Sequence, residues 1–323
     1  MFLSVTAGFL TGQEVFEREK RDFRWQLGAA SGFSMNAELN FDATPSAITL
    51  RPTSLPLDIT KTDICDRDGN LLFYTNGYTI MNRLHEVMEN GAGLSPGLFT
   101  NDWLPFGQPV SQAALALPLP DSDSLYYLFH VRREYLSQMN MYGQSAACFP
   151  FYYSLIDVSE NDGLGSVLEK NIVLTEDTIG IGQITACRHA NGRDWWIIVF
   201  KYFSNQYHSL LLHPTGVMQY PLKIVGIPRP SGSGRAVFSP DGTKYVKFNL
   251  QMGPHLDVYD FDRCTGNLSN PRYLNYNHLT DLTGGVAISP NSRYLYVSSG
   301  RYIFQYDLHS ENIGSSETLI ADY

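Results

Sequence analysis

One turn dipeptide recurs five times along the 323-residue chain: Asp68-Gly69, Asp121-Ser122, Asn191-Gly192, Asp241-Gly242 and Asn291-Ser292. The intervals are 53, 70, 50 and 50 residues. Each copy follows a short apolar run and precedes a second run rich in aromatic and β-branched residues. A period near fifty built from strands and tight turns predicts a radial β array, because each unit buries its faces only against its neighbours.

The two cleanest copies are residues 235–248 and 285–298. In both, apolar residues lead into Ser239-Pro240 or Ser289-Pro290, the turn dipeptide follows, and the next run alternates polar and apolar. Proline lacks a ladder donor, so pairing ends there, and Gly and Asn tolerate the positive φ of a two-residue hairpin turn. A third strand is expected at residues 256–261 and 303–308, and a fourth at 270–274 and 317–320. Four strands per repeat is the content of one propeller blade. The expected fold is all-β, a β-propeller of four-stranded blades over residues 24–323. About five repeats are present, forming part of a seven-bladed ring left incomplete at the C-terminus. The wide second interval marks an insertion at residues 132–150, where Met139, Met141 and Gly143 break the pattern. Insertions in repeat folds map to loops.

With 20 Tyr and 18 Phe, and charged residues at only 17 %, the composition suits half-buried pleated surfaces. No apolar run approaches the ~20 residues of a membrane-spanning helix. The net charge of −9 argues against nucleic acid, which calls for basic stripes. Residues 1–12 are apolar and small and lack a charged start, as in the remnant of a signal peptide, with an added β-strand as the competing reading. Residues 13–23 form a polar lead-in, a poor strand and a fair tether. Cys65, Cys148, Cys187 and Cys264 include no Cys-x-x-Cys pair, which leaves zinc little basis. Cys65 and Cys187 read as small buried hydrophobes. Export would permit a disulfide, with connectivity open.

Asp66-Arg-Asp-Gly-Asn-Leu-Leu-Phe-Tyr-Thr-Asn-Gly77, with Asn82 and Met88-Glu-Asn-Gly-Ala-Gly-Leu94, resembles the propeller region of large exported Bacteroidota proteins. Arg188–Trp196, Phe261–Gly266 and Ser289–Tyr296 are similar to the same proteins, which carry PKD-like modules and type IX secretion or gliding-motility sorting domains. The resemblance implies a secreted or outer-surface protein and assigns no reaction and no catalytic residue. It also implies that the remaining blades, or a sorting domain, belong to a longer chain, so this segment in isolation is expected to self-associate.

Asp66, Asp68 and Asn70 resemble the opening of a calcium loop, although Gly69 is misplaced for an EF-hand and a hairpin turn explains the same residues. His208 and His213 lie an odd number apart on one strand and so face opposite ways. His189 beside Asn191-Gly192 reads as a turn residue. Residues 229–235 miss Gly-x-Ser-x-Gly, and Gly180-Ile-Gly182 lacks the third glycine of a dinucleotide loop. Trp195-Trp196 offers one ring to packing and one to a sugar. No cofactor is expected beyond the calcium alternative, and no hydrolase or lyase activity.

The expected function is a non-catalytic extracellular or cell-surface module that binds or displays a protein or glycan. A polysaccharide-active enzyme on the same scaffold is the competing class. It would be marked by paired acids with shifted pKa values in the channel. The candidate binding residues are Asp63, Gln112, Thr185 and Arg235, with Gly285 beside them, where the strands nearest the axis begin.

Overall fold

The computed structural model describes residues 19–28, 35–52, 55–139, 145–229, 233–250, 253–278 and 283–323. Residues 1–18, Met141, Gly143 and Ser231, on which several sequence expectations fall, lie outside the described residues. A three-stranded sheet comes first, from β1 (Arg24–Leu27), β2 (Met35–Asn40) and β3 (Ala47–Pro52). Two four-strand meanders follow. The first holds β4 (Thr62–Cys65), β5 (Leu71–Thr75), β6 (Thr79–Asn82) and β7 (Val87–Ala92), and the second β8 (Ala114–Pro118), β9 (Leu125–Tyr135), β10 (Ala146–Asp157) and β11 (Ser166–Thr175). A single parallel pairing, Ser166 to Glu89, fuses them into one eight-stranded sheet.

The next sheet has β12 (Thr185–Arg188), β13 (Trp195–Phe200), β14 (Gln206–His213) and β15 (Gly216–Gln219), with the short β16 (Lys223–Ile224) also on β14. It is followed by β17 (Gly234–Phe238), β18 (Lys244–Asn249), β19 (His255–Asp262) and β20 (Asn267–Asn275). The last sheet holds β21 (Gly284–Ile288), β22 (Tyr294–Ser299), β23 (Tyr302–Asp307) and β24 (Thr318–Asp322). Among the described residues helix is confined to Leu98–Trp103, the kinked Glu160–Gly163 and one 3-10 turn. The four sheets of four or more strands take a propeller-like arrangement, and the five meanders correspond to the five sequence repeats.

The core sits between successive meanders, as propeller packing requires. Phe73, Ile80, Ala116 and Leu128 join the first two meanders. Leu117, Phe129, Ile197 and Leu212 join the second and third. Trp196, Phe200, Tyr245 and Phe261 join the third and fourth, and Val246, Phe248, Val297 and Tyr306 the fourth and fifth. Cys65 and Cys187 are buried and, like Cys148 and Cys264, unpaired. The insertion extends the β9–β10 hairpin. The described part of the polar lead-in is docked: Lys20 N–H donates to Arg67 O and Cys65 N–H to Arg21 O.

The hairpin turns correct one expectation. They are not two-residue turns. Gly242 N–H donates to Ser239 O at 2.7 Å and Ser292 N–H to Ser289 O at 2.8 Å, closing four-residue turns. Proline holds the second position, which suits its fixed φ, and Gly or Ser holds the fourth with φ 71° and 59°. The Asp241 carboxylate accepts from Ser239 Oγ and Thr243 N–H at 2.6 and 2.9 Å, so the side chain also braces the loop. A Cβ at Gly242 would stand 2.7 Å from Arg263 Cδ. Gly242→Val should therefore cost roughly 1–3 kcal/mol through positive φ and displacement of Arg263. Chemical denaturation checks this, and an unchanged midpoint would show that the turn relaxes.

Candidate functional site

All five first strands run from one end of the array to the other, so the five turn dipeptides gather at one end. β17 lies beside β12 and β21, and β4 beside β8. Cross-links tie the turns together. Asp241 N–H donates to Ser292 Oγ at 3.0 Å, and Arg193 Nη1 to Asp121 Oδ2 at 3.1 Å. Arg263, on the loop after β19, donates to Arg188 O, His189 O and Asp241 O. It thereby fastens the turn after β12 to the turn after β17.

Between β12 and β17 at this end is a cavity of about 400 Å³. Gln112, Thr185, Arg188, Trp195 and Arg263 supply its polar chemistry, and Ala236 to Pro240 form the opposite wall. Among the described residues no carboxylate borders it. The Arg188 guanidinium lies 3.7 Å from the centre of the Trp195 ring. Burial pulls the Arg188 pKa down, opposed by Glu19 and reinforced by the like charges of Arg21 and Arg67. The buried indole N–H of Trp195 has no hydrogen-bond partner among the described residues. Its neighbour Trp196 points the other way, is 1 % exposed, and donates to Arg263 O at 2.8 Å. Strand alternation thus gives one tryptophan to the core and one to the cavity.

A second cavity of about 260 Å³ shares Arg188 with the first. Arg21, Arg67 and Arg193 join it there, with Glu19 among them. This cationic cluster was missed in the sequence because its members come from the lead-in and two separate repeats. The only local signal was an arginine next to the turn dipeptide, at Arg67 and Arg193.

The structure brings only part of the expected set together. Gln112 and Thr185 border the axial cavity. The Gln112 amide grips Ala236, donating from Nε2 to its carbonyl at 2.9 Å and accepting its N–H at 2.7 Å. Arg235, one residue earlier, is partly buried, has no ion pair among the described residues, and has its pKa lowered by burial. A Cβ on Gly285 would lie 3.9 Å from Arg235 Cδ.

Asp63 stands apart. It accepts Gln26 N–H at 2.7 Å, and burial with the nearby charges of Asp22 and Glu38 pushes it up to about 7. The Asp66 carboxylate accepts from Asp68 N–H, Asn70 N–H and the Asn70 amide, each at 2.9 Å. Turn chemistry therefore accounts for the Asp66, Asp68 and Asn70 trio. Among the described residues no three of His, Cys, Asp and Glu converge on a common point. His189 Nδ1 accepts Asn191 N–H at 3.0 Å, the turn role expected of it.

No protein-family model matches the chain, and no curated protein matches it in sequence. Solved structures match in fold. A candidate 6-phosphogluconolactonase from Bacteroides uniformis is similar with a TM-score of 0.51 at 13 % identity, over 92 % of this chain and 82 % of that one. A protein of unknown function from Desulfotomaculum acetoxidans gives 0.49 at 14 % identity, over 92 % and 78 %. The propeller of Dos1 gives 0.42 at 12 % identity, over 91 % and 67 %. At 13 % identity the first of these likenesses speaks for the fold alone and leaves the chemistry to the residues themselves.

Proposed function

We propose that the chain is a non-catalytic binding module, exported to the medium or the outer cell surface, that holds an oligosaccharide at the axial cavity. The observation that carries this reading is a roomy cavity walled by a tryptophan, two arginines, a glutamine and a threonine, with no acid of the described residues on its border. Aromatic bodies with a few oriented donors are the usual composition of small-ligand sites. The Thr185 hydroxyl and the N–H groups that Arg188 and Arg263 keep beyond their bonds to backbone carbonyls supply donors for hydroxyl or acid groups of a sugar.

Glycoside hydrolysis by the common route needs two carboxyl groups flanking the bond. The competing enzymatic reading finds its best candidate acid in Asp63, whose pKa of about 7 suits a general acid. Asp63 does not border the axial cavity and spends one oxygen on Gln26 N–H.

A glycan array followed by calorimetry on the full chain tests the proposal. The expected result is saturable oligosaccharide binding that falls about tenfold or more in Trp195→Ala, with no release of reducing ends. Binding indifferent to Trp195→Ala would exclude the axial cavity. Polysaccharide cleavage abolished by Asp63→Asn would replace the module with an enzyme.

A further inference from the structure

The second cavity holds more cationic donors than its acids use. Arg21 Nε takes Glu19 Oε2 at 2.6 Å, while its Nη1 donates to Tyr126 Oη at 2.8 Å. Arg67 and Arg188 approach the same carboxylate only to 3.5 and 3.7 Å. The Arg67 side chain makes no hydrogen bond among the described residues, and its other acid, Asp123, is 3.8 Å away. Arg193 is already engaged by Asp121 and Asp194 at 3.1 and 2.8 Å.

Three guanidiniums therefore surround one carboxylate that satisfies only one of them at hydrogen-bond range. Guanidinium pairs best with a carboxylate through two parallel N–H bonds. Arg67 retains that capacity in full, and Arg188, whose Nη1 donates to Arg193 O at 2.6 Å, retains its Nε and Nη2 edge. The carboxylate belongs to a side chain that is 38 % exposed, so water and solutes reach it. Arg188 borders both cavities, with its face on Trp195 and Nη2 toward Glu19. An acid group here would sit at one end of a ligand lying in the axial cavity.

We infer that Arg21, Arg67 and Arg188 form an anion subsite for the carboxylate of a uronic-acid residue, and that Glu19 is the intramolecular stand-in the ligand displaces. This deepens the oligosaccharide reading by naming the sugar class. A displaced Glu19 is exposed to solvent, while the incoming carboxylate engages Arg67 and Arg188 as well as Arg21. Burial raises the Glu19 pKa, but the hydrogen bond and charge of Arg21, with Arg188 and Arg67, outweigh this and hold it below the ordinary range. Glu19 is thus an ionised competitor at neutral pH, and removing its charge should free the subsite.

The test is calorimetry on the full chain with a galacturonate trimer and a neutral galactose trimer, each against wild type, Glu19→Gln and Arg67→Gln. The expected result is tighter binding of the galacturonate trimer in wild type, a gain of about tenfold in Glu19→Gln, and a loss of about tenfold in Arg67→Gln, one charged contact being worth roughly that factor. The neutral trimer should respond to neither substitution. Equal affinity for both trimers in all three proteins overturns the anion subsite and leaves the oligosaccharide reading standing. Galacturonate binding that is unchanged or weakened in a folded Glu19→Gln overturns the competition. Galacturonate binding in Glu19→Gln that ignores Trp195→Ala keeps the anion subsite and removes the axial-cavity reading. Binding of neither trimer overturns both. Should Glu19→Gln fail to fold, Arg67→Gln decides, because its side chain is 61 % exposed and has the least structural work.

Discussion

Replacing Asp257 with Ala should lower stability by about 3–5 kcal/mol, the range measured when one partner of a buried ion pair is removed. Asp257 is fully buried on β19, opposite Lys247 on β18. Its oxygens face Arg229 Nε at 3.2 Å, Lys247 Nζ at 3.4 Å and His255 Nε2 at 3.6 Å. Lys247 is 1 % exposed and lies 4.4 Å from the centre of the Phe200 ring across the interface with the preceding sheet. Burial lowers the Lys247 pKa, and Asp257 opposes that shift. Without Asp257, Lys247 must lose its proton or remain an unbalanced buried charge beside Arg229. Urea denaturation of Asp257→Ala, Lys247→Met and the double variant gives the coupling directly. The double variant should recover part of the loss, since Lys247 no longer leaves a buried charge, while Arg229 still lacks its carboxylate. A single-variant loss below about 1 kcal/mol would mean the network relaxes at little cost.

The second large effect is a dependence on pH that runs through Asp63. Burial first, then Asp22 and Glu38, raise its folded-state pKa to about 7, while the Gln26 N–H bond opposes the rise. A group raised on folding holds its proton in the native state after the unfolded chain has released it. Its contribution is therefore complete below about pH 4 and is lost as pH climbs through 7. The shift corresponds to roughly 2–4 kcal/mol, at 1.36 kcal/mol per unit and discounted for partial solvent access. Asp63→Asn keeps an acceptor for Gln26 N–H and carries no charge. The variant should match wild type near pH 4 and exceed it by that amount at pH 8. Parallel stability profiles from pH 4 to 8 would show that Asp63 does not titrate as described.

The five turns were legible because their chemistry is local. A Ser-Pro-Asp-Gly run fixes a turn through proline's φ, glycine's freedom and the aspartate's own hydrogen bonds, wherever the chain later goes. The strands at 255–262 and 302–307 were likewise predicted to within a residue or two. The turn length was misjudged because the Ser and Pro belong to the turn and not to the strand before it. The alternation at Lys244, Tyr245, Val246 and Lys247 was legible as a strand, but not as one buried on both faces. Lys247 takes what would be the solvent face of an open sheet, and the neighbouring sheet covers it.

Gln112 and Thr185, singled out in the sequence as beginning strands nearest the axis, border the cavity between β12 and β17, whereas Asp63 does not. Glu19, Arg21, Arg67 and Arg188 were not legible in the sequence, because they are scattered over three segments and no local rule joins them.

The sequence by itself determined the repeat length, the strand content and the chemistry of the turns, all of which depend on residues a few positions apart. Only the tertiary structure decided which side of each strand meets a neighbour. It is that packing that converts Lys247 and Asp257 into a buried pair and gathers three arginines around Glu19. Both outcomes depend on distances between residues far apart in the chain. Those distances are set when successive sheets close their apolar faces on one another, the one step that no single repeat can specify alone.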